Sequence, residues 1–164
     1  MGEREDGRSA VVRRPRAWLP PRWFIVVFWH AHRRLVKVTG GRRGLWRPRA
    51  NGWGTLQLVT MGRRTGQPRQ VLVGYLEDGE NFVTLAMNGW GAADPSWWLN
   101  LQADPDATVQ TTDGLRRVRA RQAVGAERDR LWARWSDVGK DLAAYAARRP
   151  EETAVVVLEP FEVD

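Results

Sequence analysis

The amino-acid sequence predicts an α+β protein built round an antiparallel β-barrel of about six strands, with short helices and an N-terminal amphipathic helix. Three observations carry this. Asp78-Gly79 and Asp113-Gly114 each lie between stretches rich in apolar and β-branched residues, and Asp-Gly supplies the positive φ angles of a tight hairpin. In one of those stretches Val118, Ala120 and Gln122 alternate with Arg117, Arg119 and Arg121, a period of two with one wet face. The other strand-like runs are short and are parted by Gly- and Pro-bearing turns, with no internal repeat.

Residues 1–16 are polar, Arg-rich and poor in apolar side chains, which predicts a disordered basic tail. Pro20-Pro21 suits the opening turn of a helix, and Gly40-Gly41 stops it after about Thr39. That helix and a Gly/Arg-rich connector fill residues 17–50. Trp23, Phe24, Val27, Phe28, Leu35 and Val38 share it with Arg22, Arg33, Arg34 and Lys37, a composition suited to a membrane interface or to packing on its own barrel. The barrel domain spans 51–164. Its expected strands are Trp53–Met61, Arg69–Leu76, Phe82–Met87, Ala107–Thr112, Leu115–Val124 and Thr153–Glu159. Short helices are expected at Pro95–Ala103, with Asp94 as N-cap, at Ala126–Val138 and at Asp141–Arg149.

The net charge of +7 is unevenly spread. Residues 1–50 carry 13 Lys+Arg and 3 Asp+Glu, whereas the remainder carries 13 and 16. The basicity therefore belongs to the N-terminal arm, which suits an anionic surface, while the acidic balance of the body argues against nucleic acid. The chain has no cysteine, which excludes disulfides and thiolate chemistry. No run reaches the ~18–20 apolar residues that span a bilayer. A cytoplasmic protein is expected, with residues 17–38 offering peripheral contact to the inner face of the membrane.

Common catalytic signatures are missing: no Gly-x-Ser-x-Gly elbow, no P-loop and no Gly-x-Gly-x-x-Gly. His30 and His32, two apart on a predicted helix, point to different sides, so no metal site is expected. Three segments stand out instead. Gly62-Arg63-Arg64-Thr65-Gly66-Gln67-Pro68-Arg69 sets three arginines round a turn, where guanidinium groups and turn N–H groups could bind an anion; a solvated turn is the plain alternative. Leu85-Ala86-Met87-Asn88-Gly89-Trp90-Gly91 ends a strand in small and flexible residues that let a flat ligand approach the backbone. In Asp94-Pro95-Ser96-Trp97-Trp98-Leu99-Asn100-Leu101, adjacent tryptophans on one helix cannot face the same way, so one can pack in the core while the other walls a pocket.

In this order, with Tyr75-Leu76-Glu77-Asp78-Gly79, Ala103-Asp104-Pro105 and Val155-Val156-Val157-Leu158-Glu159-Pro160, these segments resemble the deazaflavin-dependent nitroreductase family of actinobacteria, whose members are also quinone reductases. The resemblance covers about residues 50–160. It implies a split β-barrel that binds coenzyme F420. Arg63, Arg64, Thr65 and Arg69 would lie near the cofactor's phosphate and polyglutamate tail. Gln70, Val71, Leu72, Val73 and Gly74 would run beside it, and Leu85, Ala86, Met87 and Asn88 would edge the deazaflavin ring. Ser96, Trp97, Trp98, Leu99 and Asn100 would supply the helix and tryptophan wall. The chain departs from the family pattern at Leu72, where proline is frequent, and at Met87, where a small residue is frequent. Of a Tyr-rich stretch before the last strand only Tyr145 remains, which argues against bulky nitroimidazole substrates.

The resemblance thus implies an oxidoreductase that moves hydride from reduced F420 to a lipophilic acceptor: a quinone such as menaquinone, a nitro compound or an activated alkene. Tyr145 is the candidate proton donor, and a monomer is implied. The competing expectations are an FMN-binding split-barrel enzyme, a non-catalytic F420 carrier, and a binding protein that uses its basic arm.

Overall fold

The computed structural model describes residues 44–88, 91–139 and 141–162. The expected basic tail, the helix from Pro20 to Thr39, and Gly89, Trp90 and Lys140 lie outside them. Six strands close into a barrel: β1 (Gly54–Met61), β2 (Pro68–Asp78), β3 (Asn81–Leu85), β4 (Asp106–Thr111), β5 (Gly114–Gln122) and β6 (Val155–Pro160). Their order round the barrel is β1-β2-β3-β6-β5-β4, and every pairing is antiparallel. Three helices accompany them: α1 (Ser96–Ala103), α2 (Gly125–Val138) and α3 (Leu142–Ala146). Among the described residues no helix is long and apolar enough to cross a membrane.

Alternation along the strands sorts side chains into two cores. Leu56, Leu58, Val73, Tyr75, Phe82, Val109, Val118, Val156 and Leu158 fill the barrel, and Trp97, Trp98 and Leu101 of α1 join them. Leu76, Val83, Leu85, Val155 and Val157 face outward and are covered by Leu131 and Trp135 of α2 and Leu142 of α3. Strand β6 is buried on both faces, which is why Val155–Leu158 is an unbroken apolar run. Inside the barrel, burial pushes the Tyr75 phenol up to about 12, with the charge of Glu77 adding to it.

The strands agree with the sequence expectations in number and order, and the differences have physical causes. β3 stops at Leu85, not Met87: the Ala86 N–H still bonds the Ala154 carbonyl, but the Ala86 carbonyl accepts from Arg149. The alternation of β5 ends before Gln122, which is exposed, and Ala123 takes the buried position. Asp94 does not cap α1. Pro95 occupies the N-cap with no side-chain hydrogen bond, and the Asp94 carboxylate is drawn instead to the buried Arg149 guanidinium. Neutralising a buried cation outweighs a cap worth ~1 kcal/mol. Helix α3 ends at Ala146, three residues short of the expected Arg149. Before β1, Leu45 packs on Leu72, and the Trp46 ring lies 5.8 Å from that of Trp53.

Candidate functional site

The site lies at the barrel end where β1 hands over to β2. The turn is closed by the Gly62 N–H on the Gln67 carbonyl at 2.9 Å and by the Gly66 N–H on the Gly62 carbonyl at 2.7 Å. A Cβ on Gly62 would stand 2.9 Å from the Thr65 hydroxyl and 3.0 Å from the Gln67 carbonyl, so only glycine fits this closure. The N–H groups of Gly62, Arg63, Thr65, Gly66 and Gln67 are all spent within the protein. Any anion held here is therefore recognised chiefly by guanidinium groups, not by a nest of backbone donors.

Asn100 fixes the turn from across the barrel mouth. It is 4% exposed. Its Oδ1 accepts from the Arg63 backbone N–H and from Arg63 Nη1, both at 3.2 Å, while its Nδ2 donates to Thr60 Oγ1 at 3.1 Å. Arg69 Nη2 donates to Thr65 Oγ1 at 3.3 Å. Arg64 makes no side-chain hydrogen bond or ion pair among the described residues, and none of Arg63, Arg64 and Arg69 has a carboxylate partner there. Three unneutralised cations on one turn repel each other and favour an anionic occupant.

A cleft of about 520 Å³ runs from this turn to the start of α1. At one end it is lined by Gly62, Arg63, Arg64, Thr65 and Arg69; Gln70 and Val71 form its side. The other end is made by Asn88, Pro95, Ser96 and Trp97, and Asn100 joins it to the turn through Arg63. The cleft is thus cationic at one end and apolar with polar edges at the other, and its size falls within the ~300–1,000 Å³ of small-molecule sites.

The model of the F420H(2)-dependent quinone reductase family matches residues 30–160, most of the chain. The chain belongs to this family. Rv3178 of Mycobacterium tuberculosis, provisionally named an F420H(2)-dependent quinone reductase, is 31% identical over 106 residues, covering 65% of this chain and 89% of that protein. Rv1261c of the same organism, named an F420H(2)-dependent quinone reductase, is 35% identical over 78 residues, which is 48% of this chain and about half, 51%, of that protein. Among solved structures, an F420-H2-dependent reductase, FDR-A, superposes with a TM-score of 0.59 at 25% identity, covering 64% of this chain and 93% of the other.

The structure brings together ten of the residues expected at an F420H(2)-dependent quinone reductase site: Arg63, Arg64, Thr65, Arg69, Gln70, Val71, Asn88, Ser96, Trp97 and Asn100. The others do not line the cleft. Val73, Ala86 and Trp98 pack inside the barrel. Leu85 and Met87 pack in the outer cluster, and Leu72 contacts Leu45. Gly74 underlies Trp53, with a Cβ position only 3.2 Å from that ring, and Leu99 is half-buried on α1. Both tryptophans are core residues, Trp97 at 7% and Trp98 at 5% exposure, and Trp97 alone also walls the cleft. Tyr145 sits half-buried on α3, outside the cleft lining. Burial, and then the charge of Asp141, raise its phenol above the ordinary value.

Sequence reasoning missed Gly62 and Pro95 as lining residues, although both lie inside the quoted motifs. It also missed Arg149, whose buried guanidinium reaches Ala86, Thr153 and Asp94. An arginine in the polar run Ala146-Ala147-Arg148-Arg149-Pro150 carries no sign of burial.

Proposed function

We propose that the cleft holds reduced F420 with its phosphate and acidic tail on Arg64 and Arg69 and its ring system against Trp97 and Asn88, beside a lipophilic quinone. The unneutralised arginine turn carries this reading. The donor set fits the cofactor: guanidinium groups suit phosphate and carboxylate, and an indole face suits a flat ring. When bound, the cofactor supplies a hydride. Gly62 and Asn100 hold the cationic turn in place, and the Trp97 wall keeps water from the ring end.

With hydride delivered, reducing a quinone to a quinol needs one proton as well. Tyr145 is the proposed donor: a phenol carries its proton at neutral pH, and burial, which raises its pKa, makes it a weaker acid than a free tyrosine. Its position beyond the cleft lining requires an acceptor that extends over α3. In Tyr145→Phe, kcat should fall; an unchanged pH profile would assign the proton to solvent.

Menaquinone, which the apolar end favours, and a peripheral membrane contact through residues 17–38 belong to the same reading. Sedimentation of the full chain with anionic vesicles tests the contact. The closed barrel leaves no open strand edge, which favours a monomer. A similar solved structure, with a TM-score of 0.63 at 25% identity, is a domain-swapped dimer, and light scattering decides between the two states.

The test of the cofactor site is a fluorescence titration with F420. Arg64→Ala with Arg69→Ala should weaken binding by at least about 100-fold, because each charge-assisted bond contributes ~1.5–3 kcal/mol. Affinity retained in the double variant would overturn the assignment of the turn.

A further inference from the structure

Helix α3 and the cofactor cleft lie on different parts of the chain, and one side chain joins them. Arg149 follows α3 by three residues, and its N–H bonds the Ala146 carbonyl at 3.0 Å. Its side chain is 1% exposed. Nη1 donates to the Ala86 carbonyl at 2.5 Å and to Thr153 Oγ1 at 3.2 Å, and Nη2 donates to Asp94 Oδ1 at 2.5 Å. Ala86 and Asp94 are the two ends of the loop that leaves β3 and enters α1. Asn88 lies just inside one end, and Ser96 and Trp97 lie just beyond the other, and all three line the cleft. A single planar cation therefore sets the width of the loop base and ties it to α3.

We infer that Arg149 is the positioning residue of the cleft, holding Asn88 and the first turn of α1 at the separation that accepts the flat part of the cofactor. This rests on the cofactor reading above. The chemistry calls for arginine. Lysine donates from one ammonium centre and does not reproduce the two separate Nη positions that hold the Ala86 carbonyl and the Asp94 carboxylate, whereas the planar guanidinium fork does. Asp94 neutralises the buried charge, which otherwise would be costly to desolvate. The pair makes no direct contact with the cleft, so its effect on binding runs through the loop ends.

The test compares Arg149→Lys, Arg149→Met and Asp94→Asn with Leu131→Ala, which opens a cavity in the outer core and leaves the Arg149 hydrogen bonds in place. All are assayed well below their melting temperatures. A purely structural loss reduces the active fraction and so kcat, leaving KM unchanged, as expected for Leu131→Ala. A positioning loss raises the KM for reduced F420 by about ten-fold in Arg149→Met and by less in Arg149→Lys, with the KM for the quinone within about two-fold of wild type. Asp94→Asn, which keeps the hydrogen bonds to Ala86 and Thr153, covers the case in which Arg149→Met does not fold, and it should show the same split. Variants whose KM for F420 stays at the wild-type value, or whose loss merely follows melting temperature as in Leu131→Ala, would overturn the inference. Wild-type protein that fails to bind F420 at all would overturn the cofactor reading and this inference with it.

Discussion

Arg121 and Arg64 are the same residue in opposite circumstances. Arg121 projects from β5 with Nε on Glu159 at 2.7 Å and both Nη atoms on Glu127. Arg64 projects from the β1–β2 turn and meets no carboxylate among the described residues. The contrast extends to each region. Away from the cleft, Arg119 is paired with Asp106, Arg130 and Arg134 with Asp78, Arg128 with Glu152, and Arg47 with Asp113. At the cleft, Arg63 and Arg69 find only a neutral amide and a hydroxyl. Seven described arginines outside the cleft are paired with carboxylates and four, Arg49, Arg116, Arg117 and Arg148, are not, but only at the β1–β2 turn do three unpaired ones line a cleft. Paired arginines tie elements of the scaffold together, and the three at the turn are the ones proposed to meet the cofactor.

Asn100→Ala strikes at the link between the two regions and should have the largest effect. It leaves the buried Thr60 hydroxyl and the half-buried Arg63 backbone N–H without their partner, which costs ~1–3 kcal/mol of stability. Denaturant unfolding measures that loss. F420 affinity should fall in parallel, because Arg63 and the turn lose their anchor. A destabilised variant with wild-type affinity would show that the turn is held by its own backbone bonds.

The next prediction separates the two classes of arginine. Arg64→Ala should weaken F420 binding by about 10–100-fold and leave the unfolding midpoint unchanged. Arg121→Ala should do the reverse, losing ~1 kcal/mol of stability with affinity unchanged, since its carboxylate partners are partly exposed. Equal effects on both properties in either variant would dissolve the distinction.

The sequence made this division only half legible. The hairpins were plain because Asp-Gly turns and period-two alternation are local signals, and Gly79 does adopt a φ of +63°. The arginine turn was legible as a motif, but whether its charges were open or paired depends on carboxylates brought near by the fold. Asp78 meets Arg130 and Arg134 across more than fifty positions, and no spacing rule announces that. Arg149 was hidden for the same reason. Its three partners come from the end of β3, the start of α1 and the approach to β6, and only barrel closure assembles them. Of the expected cofactor strand, alternation allowed Val71 to line the cleft while sending Leu72 outward and Val73 into the core.

The smallest effect probes the scaffold class through pH. Asp78 joins the β2–β3 hairpin to α2: Arg130 donates to both its oxygens at 2.8 Å and Arg134 Nη1 donates at 2.7 Å. The Arg130 hydrogen bonds hold the Asp78 carboxyl below its ordinary value against the opposing effect of partial burial, and the charges of Arg130 and Arg134 add to the lowering. A carboxyl whose folded pKa is depressed binds fewer protons than its unfolded counterpart. Its contribution is therefore complete above the ordinary carboxylate range near ~4 and is lost as pH falls through the folded value. Asp78→Asn should be less stable than wild type by about 0.5–1 kcal/mol at pH 7, and the gap should shrink as the solution is acidified below ~4. Glu127 and Asp106 are lowered in the same way by Arg121 and Arg119, so both proteins should keep a common acid slope. F420 affinity at pH 7 should be identical in the two, because no cleft residue touches Asp78. A gap that stays constant down to the lowest pH would mean that Asp78 stabilises the hairpin by shape rather than by charge, and the scaffold arginines would then lose the electrostatic role that sets them apart from those of the cleft.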